Sequence, residues 1–133
     1  MIVRPYLGCD ASSILDIEIK SYYEPWEWEE FEKFGRSISV CVVDGRVVGY
    51  ACMKGNKLLR LAVKEEWRRM GAGSMLLNTV RGTKCSIIVC ETNFAQFFLR
   101  ENGFKCVNII KGAFTEYGDS LSGLYFLWRQ GLC

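Results

Sequence analysis

The stretch from Leu58 to Val80, LLRLAVKEEWRRMGAGSMLLNTV, constrains the fold more than any other. Alternate apolar residues at Leu59, Leu61 and Val63 read as a strand with one buried face. Polar residues from Lys64 to Arg69 break the alternation, and Gly71-Ala72-Gly73 follows. From Ser74 the residues Met75, Leu76, Leu77 and Val80 fit one face of a helix. The order is strand, glycine turn, helix. Side chains at such a turn would keep an anion away from the first amides of the helix. Glycines instead expose a cup of N–H donors at the positive end of the helix dipole. A phosphate ligand fits this turn, and so does an ordinary tight turn when nothing else is considered.

Detail narrows the ligand. A nucleoside-triphosphate loop needs Gly-Lys-Ser/Thr, and Gly73 is followed by Ser74 with no lysine. The dinucleotide fingerprint needs three glycines, where this run has only Gly71-x-Gly73. What remains is Arg68-x-x-Gly71-x-Gly73 after Leu61-Ala62-Val63. This resembles the coenzyme A pyrophosphate loop of the GNAT superfamily of N-acetyltransferases, whose signature is Gln/Arg-x-x-Gly-x-Gly/Ala. A second stretch, Asn93-x-Ala95-x-x-Phe98-Leu99-x-x-x-Gly103-Phe104, resembles that family's Asn-x-x-Ala-x-x-Leu-Tyr-x-x-x-Gly-Phe, with the alanine one step early. Two motifs at a sensible separation are far more specific than either alone.

Composition agrees with one globular domain spanning 1–133, half apolar and large enough for a real core. Its net charge of +2 favours no nucleic-acid groove. The seven cysteines lack Cys-x-x-Cys spacing and mostly sit in apolar runs, and there is no histidine, so no metal site is expected. Met1-Ile-Val-Arg-Pro is too short and charged for a signal peptide, and the apolar run Val47 to Met53 is too short to span a bilayer. A reduced, soluble, cytoplasmic protein without membrane attachment is the expectation.

Taken in order, Met1 to Arg4 can form a strand closed by Pro5. Asp10 stands as an N-cap, with Leu15, Ile19, Tyr22 and Tyr23 at helical spacing before Pro25. Trp28, Phe31 and Phe34 mark a second short helix stopped by Gly35. Ser37 to Val43 and Arg46 to Lys54 form a hairpin around Asp44-Gly45, and Gly55-Asn56 turns into Lys57 to Val63. After the glycine turn and its helix come a strand at Cys85 to Cys90 and a helix opened by Glu91-Thr92-Asn93. Phe98 and Glu101 are arranged around that helix, with Phe94 and Phe97 beside them. Phe104 to Ile110 is a strand, Lys111 to Ser122 a polar connection, and Leu124 to Trp128 the last strand. The fold class is α/β, a mixed and mostly antiparallel sheet flanked by about four helices.

That order matches the GNAT fold. The resemblance implies a splayed strand pair whose gap receives the pantetheine arm of acetyl-CoA, bonded to backbone around Leu61, Ala62 and Val63. It implies that the amides of Arg69, Met70, Gly71, Ala72, Gly73 and Ser74 hold the pyrophosphate, with Asn93 and Phe98 beside the carrier. Arg68 or Arg69 can add charge-assisted bonds. Within the superfamily, the aromatic link near Pro25-Trp26 and the tail after Gly103-Phe104 resemble the ribosomal-protein N-terminal acetyltransferases.

The implied chemistry is acetyl transfer from a thioester to an amine, of a protein N-terminus, a lysine or a small molecule. Proximity alone can supply on the order of 7–11 kcal/mol, and the family's oxyanion donor is a backbone N–H at about Val63. The family's acid is the tyrosine whose place Leu99 takes here, so that proton donor is missing. Tyr117 is the substitute offered, against an exposed loop tyrosine. Glu91 reads equally as the general base or as a helix N-terminal charge. Tyr23, Glu24, Trp26 and Glu27 lie in an acidic, aromatic link suited to a cationic acceptor, or else form caps and core. A monomer or homodimer is expected. The alternative is a GNAT-fold module that binds an acyl carrier or a partner with little turnover.

Overall fold

A computed structural model describes residues 1–22, 24–34, 37–114 and 121–131. The chain divides into two compact units, Met1–Arg81 and Gly82–Cys133. The first contains β1 (Ile2–Pro5), α1 (Ala11–Ser21), α2 (Trp28–Phe34), β2 (Ser37–Val43), β3 (Arg46–Lys54), β4 (Lys57–Val63) and α3 (Ala72–Val80). The second contains β5 (Lys84–Cys90), α4 (Ala95–Glu101), β6 (Lys105–Phe114) and β7 (Leu121–Arg129). The fold is α/β, and its element order is the one expected from the sequence.

In the first unit the strands are antiparallel in the order β1-β2-β3-β4. Asp44 and Gly45 take φ of 49° and 75°, the pair of positive angles of a type I′ turn that matches strand twist. At the next turn φ is positive at Gly55. Strand β3 is buried from Val47 to Met53, on both faces, because successive residues point to opposite sides. Tyr50 and Cys52 join Ile14, Ile17, Phe31, Val40 and Ala62 in one cluster under α1 and α2. On the other face Gly49 lies under α3. A Cβ there would stand 3.0 Å from the Ala62 carbonyl oxygen and 3.2 Å from Leu76. The missing side chain lets helix and strand approach.

Two helix faces differ from expectation. In α1 the buried stripe is Ile14, Ile17 and Glu18, while Ile19 is 64 % exposed. A carboxylate on the inner face holds partners that compensate its burial, so the stripe follows those partners rather than hydropathy. In α3 the buried residues are Ala72, Leu76 and Leu77, and Met75 faces outward. Nor does Asp10 cap α1 with its side chain. Its carboxylate accepts from the Leu7 N–H at 2.7 Å and from Arg4 Nη1 at 2.7 Å, and those Arg4 bonds hold Asp10 below the usual carboxylate range.

In the second unit β7 lies between β5 and β6, antiparallel to both. Strand β6 runs on through Phe114, and β7 begins at Leu121, so both are longer than the polar look of Lys111 to Ser122 suggests. A register shift between Ile110 and Phe114, with Gly112 at φ 69°, absorbs the irregular residues without ending the strand. Leu99, Phe104 and Phe126 are buried, whereas Phe94 is 82 % exposed and Phe97 also faces outward.

Candidate active site

The glycine turn follows β4 directly. Glu65–Trp67 forms a 3-10 turn, Arg68 is extended, Arg69 takes φ 64°, and Gly71 takes φ 90° at the start of α3. The first helical bond of α3 runs from the Met75 N–H to the Gly71 carbonyl, so the amides before Met75 have no partner within the helix. No side chain caps that end. A Cβ on Gly71 would have nothing within 4 Å. Open space in front of uncapped amides at a helix N-terminus suits a pyrophosphate. Arg69, Met70 and Gly71 are exposed, Gly73 and Ser74 half-buried, and Ala72 buried.

Along β4 the even residues bond to β3, as the Lys64 N–H does to the Val48 carbonyl. The odd residues Leu61 and Val63 therefore turn their N–H and C=O groups outward. Those groups, expected to receive the carrier's arm, already hold side chains. The Tyr22 hydroxyl accepts from the Leu61 N–H at 3.1 Å and donates to the Leu61 carbonyl at 3.0 Å. Arg68 Nε donates to the Val63 carbonyl at 2.9 Å, and Arg68 Nη2 reaches Ser21 Oγ at 3.4 Å. Arg68 is thus tied to β4 and α1, and Arg69 is exposed at the turn beside it. An open groove of about 470 Å³ runs beside this tie. Lys20, Lys64 and Arg68 line it together with Asp16, Glu65 and Glu66, and Gly71 and Ser74 are not part of its wall. Its mixed charge marks no anion seat.

Behind Tyr22 lies a charged cluster. Glu18 is fully buried, accepts from the Trp26 N–H at 2.9 Å and the Tyr50 hydroxyl, and sits 3.3 Å from Arg60 Nε. The Arg60 guanidinium lies over the rings of Tyr22 and Trp26, at 4.2 Å and 4.4 Å, and Nη2 donates to the Glu24 carbonyl at 3.3 Å. Burial raises the Tyr22 hydroxyl above the usual phenol range, against lowering by its Leu61 bonds and by Arg60. Burial likewise raises Tyr50. Trp26 also packs on Phe31 and Phe34. The cation on Trp26 is the protein's own Arg60, which holds the link against β4. Glu24 and Glu27 expose their side chains.

In the second unit Glu91 is exposed and exchanges two bonds with Ser122, its N–H to the Ser122 carbonyl at 2.9 Å and its Oε1 from the Ser122 N–H at 3.0 Å. It therefore ties the end of β5 to the start of β7. Asn93 Oδ1 accepts from the Ala95 N–H at 2.8 Å and starts α4, with Phe98 half-buried on that helix. Leu99 is 2 % exposed, a core residue. Tyr23 and Tyr117, and the expected helix stop at Gly35, lie outside the described residues. Among the described residues no group of three or more His, Cys, Asp or Glu could hold a metal ion, and no helix is long and apolar enough to cross a membrane.

The sequence alone does not single out Glu18 and Arg60, and it places Tyr22 only at helical spacing and at the start of the aromatic link. One signal was present. Ile14, Ile17, Glu18 and Ser21 share the i, i+3, i+4, i+7 stripe, and a glutamate on such a stripe needs a buried partner.

An antiparallel strand feeding an open, uncapped helix N-terminus gives this α/β scaffold a seat suited to a phosphate-bearing ligand. The family described as acetyltransferase (GNAT) domain matches residues 35–106. An uncharacterised N-acetyltransferase of Methanocaldococcus jannaschii is 30% identical over 113 residues, covering 75% of this chain and 72% of the relative. The ribosomal-protein-S18-alanine N-acetyltransferase of Escherichia coli has a similar structure, with TM-score 0.82, 18% identity, and coverage of 99% of this chain and 95% of that one. NAA60 of Arabidopsis thaliana in complex with acetyl-CoA gives TM-score 0.80 at 19% identity, covering 96% and 98%. The chain belongs to the GNAT family of acetyltransferases.

Proposed function

We propose that this chain is an acetyl-CoA-dependent N-acetyltransferase acting on an amine, of a protein N-terminus, a lysine or a small molecule. The observation that carries the reading is the Gly71 turn, with φ 90° and open space before the uncapped amides of α3. Acetyl-CoA supplies a thioester-activated acetyl group. The amides from Arg69 to Ser74 bind its pyrophosphate, and Arg69 adds charge from the exposed side. Leu61 and Val63 offer outward backbone for the carrier's arm where Tyr22 and Arg68 give way, while the peptide groups of Ala62 face β3, and Asn93 and Phe98 on α4 are further carrier contacts. Glu91, exposed at the end of β5, takes the amine proton. Glu24 and Glu27, exposed on the link, favour a cationic acceptor by charge. Tyr117, outside the described residues, stays a candidate acid. We place the enzyme in the cytoplasm, as a single domain.

One observation favours a second reading. Leu99 is a buried hydrocarbon where the family's motif has its acid, which suits a module that binds the carrier with little turnover. Titration of acetyl-CoA into the protein, followed by free-thiol release with a peptide and polyamine panel, separates the two. Binding with release for one amine class is the expected result. Binding with no release across the panel would favour the module. Replacing Glu91 with Gln should lower turnover by about 10²-fold while sparing carrier affinity; unchanged turnover would remove it as base.

A further inference from the structure

We propose that Tyr22 and Arg68 form an autoinhibitory strap over the outward edge of β4, which holds that edge closed until the arm of an acyl carrier displaces both side chains. The inference rests on the acetyltransferase reading above and concerns how its carrier site opens. Tyr22 is the C-cap of α1, where the backbone has already left the helix, at φ −116° and ψ 143°. Its hydroxyl donates to the Leu61 carbonyl at 3.0 Å and accepts from the Leu61 N–H at 3.1 Å. One side-chain oxygen thus makes both bonds that a neighbouring extended chain would make to that residue. At Val63, two residues on, Arg68 Nε donates to the carbonyl at 2.9 Å.

Each bond of the strap is one that can be exchanged. Arg68 is held by neutral oxygens, the Val63 carbonyl at 2.9 Å and Ser21 Oγ at 3.4 Å. Among the described residues no carboxylate pairs with it. A phosphate is a stronger acceptor for a guanidinium than either oxygen, and Arg68 belongs to the turn that leads to Gly71. The Tyr22 ring rests on the Arg60 guanidinium at 4.2 Å, a face contact that tolerates sliding. The bonds to Leu61 are directional, and they end when the hydroxyl moves away. Tyr50 takes no part, because its hydroxyl is committed to the buried Glu18.

A carrier with a pyrophosphate and an amide-bearing arm supplies a substitute for every bond lost. Its phosphates offer Arg68 a charged acceptor. Its amides offer Leu61 and Val63 an N–H and a C=O along an extended chain, as an added strand would. With no carrier bound, the strap satisfies edge groups that would otherwise go unpaired. It also lowers the apparent affinity for the carrier, in proportion to the fraction of molecules whose edge is closed.

Tyr22→Phe keeps the ring on Arg60 and removes only the bonds to Leu61. Calorimetric titration should show acetyl-CoA binding about three- to tenfold tighter in Tyr22→Phe than in the parent, the opposite of what loss of a carrier contact would give. A second measurement needs no variant. A crystal structure of the parent with coenzyme A bound should show the Tyr22 hydroxyl away from Leu61 and Arg68 away from Val63, with the arm bonded to the freed groups. Equal or weaker binding by folded Tyr22→Phe, or bound coenzyme A with either strap contact intact, overturns the strap while leaving the acetyltransferase reading standing. Binding by Tyr22→Phe and not by the parent would be the strap in its extreme form. Failure of both proteins to bind acetyl-CoA removes that reading, and the strap with it.

Discussion

Glu18 gathers the polar chemistry of the first unit. Its carboxylate is fully buried, and it holds the Trp26 amide, the Tyr50 hydroxyl and the Arg60 guanidinium at once. Removing one partner of a buried ion pair typically costs about 3–5 kcal/mol, because the other charge is left unpaired. Glu18→Ala should therefore lower the unfolding free energy by about that amount in urea titration. The double replacement with Arg60→Ala should lose less than the sum of the two single changes, by roughly 0.5–3 kcal/mol. Strict additivity would show that the pair is not coupled. This cluster was the least legible part of the sequence. Glu18 reads as a surface glutamate until the stripe Ile14, Ile17, Glu18 is seen to face inward, and Arg60 reads as an ordinary charge on a strand. What places them is a contact between α1, the link and β4, residues 8 to 42 apart in the chain, which no local pattern encodes.

At the scale of elements, the turns and strands were the legible part. Asp44-Gly45 announces its hairpin because positive φ at both positions selects those residue types, and β2, β3 and β4 begin and end where alternation and turn residues put them. The end of β6 was not legible, since Lys111 and Gly112 look like loop while an irregular register lets the strand continue to Phe114. Gly49 was equally silent, because its reason is α3 lying close above β3. Gly49→Ala should cost about 1–3 kcal/mol in chemical denaturation, as the new Cβ meets the Ala62 carbonyl oxygen at 3.0 Å, which backbone cannot easily yield. Unchanged stability would mean that helix and strand separate freely. The glycine turn was read correctly as a turn into α3, yet the outward peptides of β4 were expected to be open, and Tyr22 and Arg68 cover them.

For the whole molecule, the buried titratable groups predict a pH profile that falls on both the alkaline and the strongly acidic side. Burial pushes Cys52 up to about 11 and raises Cys41 and Tyr50 as well. Such groups stabilise the fold in full below the ordinary thiol value of about 8.5, and their contribution is lost as pH rises toward the folded values. Asp10, held low by Arg4, contributes above the ordinary carboxylate value of about 3.9 and loses its contribution as pH falls further. The melting temperature should therefore be level near neutrality and fall between about pH 9 and 11. A rise across that alkaline range would contradict the burial of these groups. Fold and family are thus well anchored by strand order and by relatives, while the reaction rests on a few side chains around one turn and one strand edge. The most direct test is calorimetric titration of acetyl-CoA into the parent protein and into Gly71→Glu. A carboxylate at that turn would face the open space proposed for the pyrophosphate. Saturable binding of one acetyl-CoA per chain, weakened at least about tenfold in Gly71→Glu, about 1.4 kcal/mol, is the predicted result. No binding to the parent, or equal binding to both proteins, would contradict the seat at Gly71 and the transferase built on it.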